Sequence, residues 1–334
     1  MIPVSGKGYT TLNNTIRDYI AKHFEEALRN GSFTVCYEPV LRALTGKICS
    51  VEALARWHDP VYGSISPHDF IPVLEARDKI HLLDYFVAKV TMQNLQARRR
   101  QELPIVPVIL NLSRRDFLVS DPIGVLNHLT KKYQLPHIYF QIEITETAFV
   151  EDEDVITEAI YRLRQNGYTV TLDNFGEGHS SLAALQRCAI DEISLARIFF
   201  EDFTENTRLL LISILLMAKT LGIHTAAEGV QTEEQADFLR IIGCEKIQGA
   251  VCHTPGTTTS SPEVRFAQSH RFETLLEQQV FHQAGLTNLV TETPVALFAD
   301  NGKDLRLLTA NANYQKMLQI GGLGGIKEAN TRLR

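Results

Sequence analysis

Glu52 and Arg56 stand four residues apart at the end of the apolar, strand-like run Ile48 to Trp57. A carboxylate can hold a metal and a guanidinium can grip a phosphate, so the pair points to a phosphorylated ligand. Other strand-like runs also end in oxygen donors, namely Asn111, Glu143, Asp173 and Glu228. Carboxylates with an amide carbonyl suit hard divalent ions such as Mg2+, Mn2+ or Ca2+, whereas zinc recruits His or Cys. Any one of these residues reads more simply as a polar loop residue or a helix cap. Five at corresponding strand ends do not.

The elements that would position them alternate along the chain. Strands are expected at Phe33 to Val40, Ile48 to Trp57, Val106 to Ser113, Ile138 to Glu146, Thr169 to Phe175, Glu192 to Ala196, His224 to Val230 and Lys246 to Gly249. Helical patterns lie near 11–30, 80–99, 122–133, 152–166, 206–221 and 232–242; Ile16, Ile20, Phe24 and Leu28 mark one face of the first. Short buried strands alternating with helices indicate parallel βαβ units. Their number and span favour an α/β fold of the closed (β/α)8 TIM-like barrel type, with an open doubly wound sheet as runner-up. In such a barrel the C-terminal strand ends converge on one face, where the oxygen donors would meet.

The domain plan is a helical lead-in over 1–32, a barrel over 33–255, a polar linker over 256–262 and a short α+β extension over 263–334. In the extension, 263–287 reads as helix and Val290 to Leu308 as two strands around Asp300-Asn301-Gly302. Asn311 and Asn313 before Tyr314 to Leu318 resemble the opening of a PAS-type sensor domain, although the chain stops short of a complete one. Gly321 to Gly325 reads as a flexible end rather than a phosphate loop, because no helix of adequate length is expected after it.

The net charge of -6 argues against a nucleic-acid polymer as partner, while leaving room for a local pocket for one small phosphate ligand. Five cysteines without CxxC spacing read as reduced thiols in a cytoplasmic protein. The N-terminus lacks a secretory pattern. The longest apolar run, Leu209 to Ala218, is about half of the roughly 20 residues that a membrane span needs, so no membrane insertion is expected in this segment.

The motifs identify the chain as similar to the EAL-domain family of cyclic di-GMP phosphodiesterases and receptors. The name motif stands as Glu52-Ala53-Leu54 within Glu52-Ala53-Leu54-Ala55-Arg56-Trp57. Further matches are Tyr37-Glu38-Pro39-Val40, Ile65-Ser66-Pro67, Phe70-Ile71-Pro72 with Glu75, Asn111-Leu112-Ser113, Glu143-Ile144-Thr145-Glu146, Asp173-Asn174-Phe175-Gly176, Ser180-Ser181-Leu182, Ala227-Glu228-Gly229-Val230 and Gln248-Gly249. The resemblance implies a first metal at Glu52, Asn111, Glu143 and Asp173, with Mg2+ or Mn2+ as cofactor and Ca2+ as a non-productive substitute. It implies ligand contacts from Leu54, Arg56, Glu38, Glu75, Asp191 and Gln248, a loop anchor at Glu146 and a site carboxylate at Glu228.

Departures from the family pattern fall on the groups that activate water. Asn174 stands where the family's paired aspartates share a second metal, which impairs that site. Ser194 replaces the lysine that positions the attacking water, and Ala196 replaces the acid two residues beyond it. Loss of one such electrostatic group typically costs about 10²- to 10³-fold in turnover. Glu38 replaces a glutamine, and Glu177 and His179 replace a threonine and a tyrosine in the loop that couples site and dimer surface in relatives. His179 reads as a loop histidine rather than a base, Cys188 as a core thiol rather than a redox sensor, and Trp57 as packing or a guanine stack.

The resulting expectation is a degenerate EAL domain that binds cyclic di-GMP with little or no hydrolysis. The alternatives are an active phosphodiesterase that yields the linear dinucleotide and a ligand-independent interaction module. A homodimer or a protein partner is left open.

Overall fold

The computed structural model describes residues 7–178, 181–252, 272–300 and 304–332. The strands are β1 (Phe33–Arg42), β2 (Ile48–Asp59), β3 (Gly63–Ile65), β4 (Val108–Asn111), β5 (Phe140–Thr145), β6 (Thr169–Phe175), β7 (Glu192–Leu195), β8 (His224–Ala227), β9 (Lys246–Ile247), β10 (Ala296–Asp300) and β11 (Leu305–Ala310). The first nine form one sheet in the order β1-β9-β8-β7-β6-β5-β4-β2-β3, and the additional β1–β2 pairing closes it into the expected (β/α)8-type barrel. The sheet is mixed rather than wholly parallel, because β1 runs antiparallel to β9. Only a tight turn separates β1 from β2, with Arg42 N–H bonded to Lys47 C=O at 2.8 Å. A hairpin leaves no room for a crossover, so the chain must reverse.

Two compact units make up the chain, Met1–Glu38 with Glu52–Thr169 and Pro39–Val51 with Val170–Arg334. In the first, the leading helix Lys7–Asn30 buries Ile20 and Phe24 with Phe33, Trp57 and Phe70. Trp57 is fully buried, its ring 4.8 Å from that of Phe33, so it packs the core. The helix Pro67–Glu75, absent from the sequence expectations, is capped by Ser66 and carries proline at its first position, where no N–H is needed. Strands β4 and β5 pair in parallel, with Asn111 opposite Glu143. Their Val108-Ile109-Leu110 and Phe140-Gln141-Ile142 runs are buried throughout, as strands covered on both faces must be.

In the second unit β6 to β9 pair in parallel and are joined by the helices Ser181–Arg187, Glu205–Leu221 and Glu233–Ile242. Thr204 and Thr232 cap the last two, while Gly222 and Gly243 end them in the left-handed conformation. The five cysteines are all free and Cys188 is buried. The linker expected at 256–262 and His179 lie outside the described residues, as does residues 263–271 of the expected helix. Its described remainder is Leu275–Gly285. The hairpin β10–β11 follows, its Asn301 and Gly302 likewise outside the description.

The glycine run corrects one expectation. Gly321 to Gly325 leads into the helix Ile326–Arg332 rather than a flexible end. Ala329 is buried with Leu307 and Ala310, and Asn330 bonds the Leu307 backbone at both N–H and C=O. Apolar burial and two backbone hydrogen bonds thus order a segment whose glycines alone suggest freedom. No helix among the described residues is long and apolar enough to cross a membrane.

Candidate functional site

On β2 the alternation of a strand sends Glu52, Leu54 and Arg56 to one face and Ala53 and Trp57 to the other, where both are buried. The Asn111 side-chain amide donates to Glu52 Oε1 at 2.8 Å. Glu143, opposite Asn111 in register, is 5 % exposed. This unit therefore places three of the expected metal ligands on the neighbouring strands β2, β4 and β5, with Glu52 inside its strand rather than at its end. Arg56 Nη2 donates to Glu38 Oε1 at 2.7 Å and Nη1 donates to the Ala55 carbonyl at 3.1 Å. Glu146 is buried at the start of the helix Glu146–Glu151, directly after β5.

Glu75, the last residue of the helix Pro67–Glu75, accepts from Ser113 Oγ at 2.6 Å. Both line a cavity of about 380 Å3 with Arg114, Arg115, Thr145 and Glu151. Behind it lies an arrangement the sequence reading did not single out. Asp116 accepts from the Ser113 backbone N–H at 2.7 Å and faces Asp84. Burial, reinforced by the Asp116 carboxyl, pushes Asp84 well above the usual carboxylate range, so the pair is built to share a proton. A signal was present: Asp84 sits on the apolar stripe Ile80, Leu83, Val87 and Ala88 of the helix Ile80–Arg100.

In the second unit Asp173 and Asn174 end β6. Asn174 occupies the left-handed region at φ 56°, which asparagine tolerates better than most residues. Its backbone N–H donates to Asp173 Oδ1 at 2.6 Å and its side-chain amide to Oδ2 at 2.7 Å. The amide thus serves Asp173 as a neutral donor. Ser194, 1 % exposed on β7, donates to Glu228 Oε1 at 2.6 Å, just beyond β8. Gln248 precedes Gly249, whose φ of +140° and whose missing Cβ, which would stand 2.4 Å from the Val230 carbonyl oxygen, require glycine.

Asp191, expected from the resemblance near the ligand, lies just before the start of β7, and its Oδ2 accepts from the Val170 N–H at 2.9 Å near the start of β6. Its backbone is bonded there as well, donating to the Val170 carbonyl and accepting from His224 N–H. The carboxylate therefore ties strand starts together, at the end of β7 away from Ser194.

The acidic residues expected at strand ends, Glu143 in the first unit and Asp173 and Glu228 in the second, form a donor set whose composition suits a divalent cation. All its donors are carboxylate oxygens, which fit a hard ion.

A family model described as "EAL domain" matches residues 21–255. The chain is 29% identical over 265 residues to the cyclic di-GMP phosphodiesterase NbdA of Pseudomonas aeruginosa, covering 79% of this chain and 34% of that protein. It is 31% identical over 227 residues to the oxygen sensor protein DosP of Escherichia coli, covering 67% of this chain and 28% of that protein. The chain thus spans about a third of the length of these curated relatives. Among solved structures, the PaMucR phosphodiesterase in complex with c-di-GMP aligns with a TM-score of 0.66 at 26% identity, over 71% of this chain and 97% of that one. The FimX EAL domain of Xanthomonas citri, in complex with c-diGMP, aligns with a TM-score of 0.65 at 20% identity, over 75% of this chain and 99% of that one. The latter likeness speaks to the fold.

Proposed function

The chain belongs to the EAL domain family, and from that premise we propose that it is a cyclic di-GMP receptor with little or no hydrolytic activity. The observation that carries this reading is the chemistry at the ends of β6 and β7. Asn174 and Ser194 supply Asp173 and Glu228 with neutral hydrogen-bond donors. A hydrolytic site needs positive charge there, to lower the pKa of an attacking water and to stabilise the leaving oxygen. Neutral donors hold the carboxylates in place without supplying that charge.

Glu52, Asn111, Glu143 and Asp173 would hold one Mg2+ or Mn2+, with Glu228 nearby in role, and Ca2+ would bind without supporting turnover. When bound, the ion would neutralise the ligand's phosphate charge. Leu54, Arg56, Glu75 and Gln248 would position the dinucleotide and Glu146 would anchor the loop after β6. The barrel over 33–255 would report its occupancy through the linker at 256–262 to the PAS-like extension at 263–334, behind the helical lead-in at 1–32. We place the protein in the cytoplasm, a reducing setting that suits its free cysteines.

Calorimetry with cyclic di-GMP and Ca2+ tests the binding half, and detection of the linear dinucleotide after prolonged incubation with Mn2+ tests the other. Binding without product is expected, and Arg56→Ala should weaken it about 10- to 100-fold, the worth of a charged hydrogen-bond pair. Multiple turnovers would establish the phosphodiesterase instead. Absence of binding at high micromolar ligand would leave the interaction module.

A further inference from the structure

Arg56 is the guanidinium placed to grip a phosphate, yet its donors face protein acceptors. One Nη donates to Glu38 Oε1 at 2.7 Å and the other to the Ala55 carbonyl at 3.1 Å. The side chains of Arg56 and Glu38 are 27% and 35% exposed, so the pair lies between solvent and core, where a ligand can reach it and water screens it only in part. Glu38 and Arg56 come from neighbouring strands, and the carboxylate makes the pair neutral overall. A phosphate entering this position would lose the attraction of a free cation and would meet a second anion at close range.

We propose that Glu38 is an internal competitor for the ligand phosphate at Arg56, so that the dinucleotide binds only by displacing the carboxylate. The effect is a raised ligand threshold, set within the protein by one side chain. Displacement is feasible because a partly exposed ion pair contributes little net energy, so a phosphate that gains bidentate contacts and a bound cation can replace it. The inference rests on the proposed ligand and specifies what that ligand must overcome to bind.

The test is the affinity of the full chain for cyclic di-GMP in Ca2+, measured by calorimetry for the wild type, Glu38→Gln and Glu38→Asp. Glutamine preserves shape and hydrogen bonding while removing the charge, and aspartate preserves the charge. Glu38→Gln should bind about 10-fold more tightly, of the order of one charge-assisted hydrogen bond, and Glu38→Asp should stay close to the wild type. A wild type that binds while Glu38→Gln binds equally or more weakly overturns the inference alone, since Glu38 would then contact the ligand directly or be inert. An equal gain in Glu38→Asp would also overturn it, because charge would not be the cause. No binding by any of the three would overturn the ligand assignment, and the inference with it.

Discussion

The two ends of the strands in the second unit handle charge in opposite ways. Where β7, β8 and β9 start and the antiparallel β1 ends, opposite charges meet in buried pairs. Arg42 holds Glu273 through two hydrogen bonds of 2.9 and 3.1 Å, Lys246 meets Glu192 at 2.6 Å, and Glu245 takes Lys219 at 2.7 Å and His224 at 2.8 Å. At the far ends, Asp173 and Glu228 receive an amide and a hydroxyl. Paired charge that is complete within the protein secures a fold. Carboxylates that accept from an amide and a hydroxyl are of the kind that a hard divalent ion suits as a further partner.

Glu245 offers the sharpest way to break that contrast. Burial alone would raise its pKa, but the His224 hydrogen bond and Lys219 hold it down at about 2. Lys219 and Glu245 are each 4% exposed, and Lys219 also donates to the Gly285 carbonyl in the extension. Glu245→Gln leaves a buried ammonium without its counter-charge, so a loss of about 3–5 kcal/mol is expected in denaturant unfolding. The sign of the pH dependence follows from the lowered value. The wild-type advantage is complete above the ordinary value of 4.5 and fades as pH falls towards about 2. A loss under about 1 kcal/mol would show that the pairs at the strand starts are not what secures this unit.

The same contrast predicts that charge restored at the far ends changes chemistry more than stability. Asn174→Asp with Ser194→Lys replaces the two neutral donors by a carboxylate and a cation, and aspartate accepts the left-handed backbone of position 174 nearly as well as asparagine. Formation of the linear dinucleotide in Mn2+ should rise by about 10²- to 10³-fold, the effect of one well-placed electrostatic group. Unchanged turnover in a folded variant that still binds ligand would mean that more than these two positions separates the chain from hydrolysis.

Much of this arrangement is legible in the sequence, for reasons that differ between residues. Strand alternation at β2 already put Glu52, Leu54 and Arg56 on one face, and the apolar runs marked β4 to β8 because strands covered on both sides are apolar throughout. The helix Pro67–Glu75 is hard to see in the sequence because proline disfavours helix interiors, yet Pro67 starts the helix and Pro72 lies within its nine residues. Asp191 comes from the family resemblance alone, and its hydrogen bond to Val170 joins side chain and backbone from different elements, which no local pattern encodes. The Glu38–Arg56 pair and the Ser113–Glu75 bond join side chains from different elements, and no local pattern encodes their meeting.

The first unit adds a third arrangement, like charges held together by a proton, and it gives the smallest expected effect. Asp84 and Asp116 face one another, Asp116 accepting from the Ser113 N–H, and Asp84 is raised well above its ordinary 3.8 by burial and by Asp116. The folded chain therefore keeps a proton that the unfolded chain gives up once the pH passes that ordinary value, so stability declines as pH rises. Asp84→Asn replaces the shared proton by an amide donor to Asp116 and removes that dependence. Melting temperatures should be equal near pH 4 and favour the variant by roughly 2–4 °C near pH 8, on the order of 1 kcal/mol for a unit of this size. An advantage that is the same at both pH values would mean that the pair does not share a proton, and that buried carboxylates in this protein are held only by opposite charges or by neutral donors.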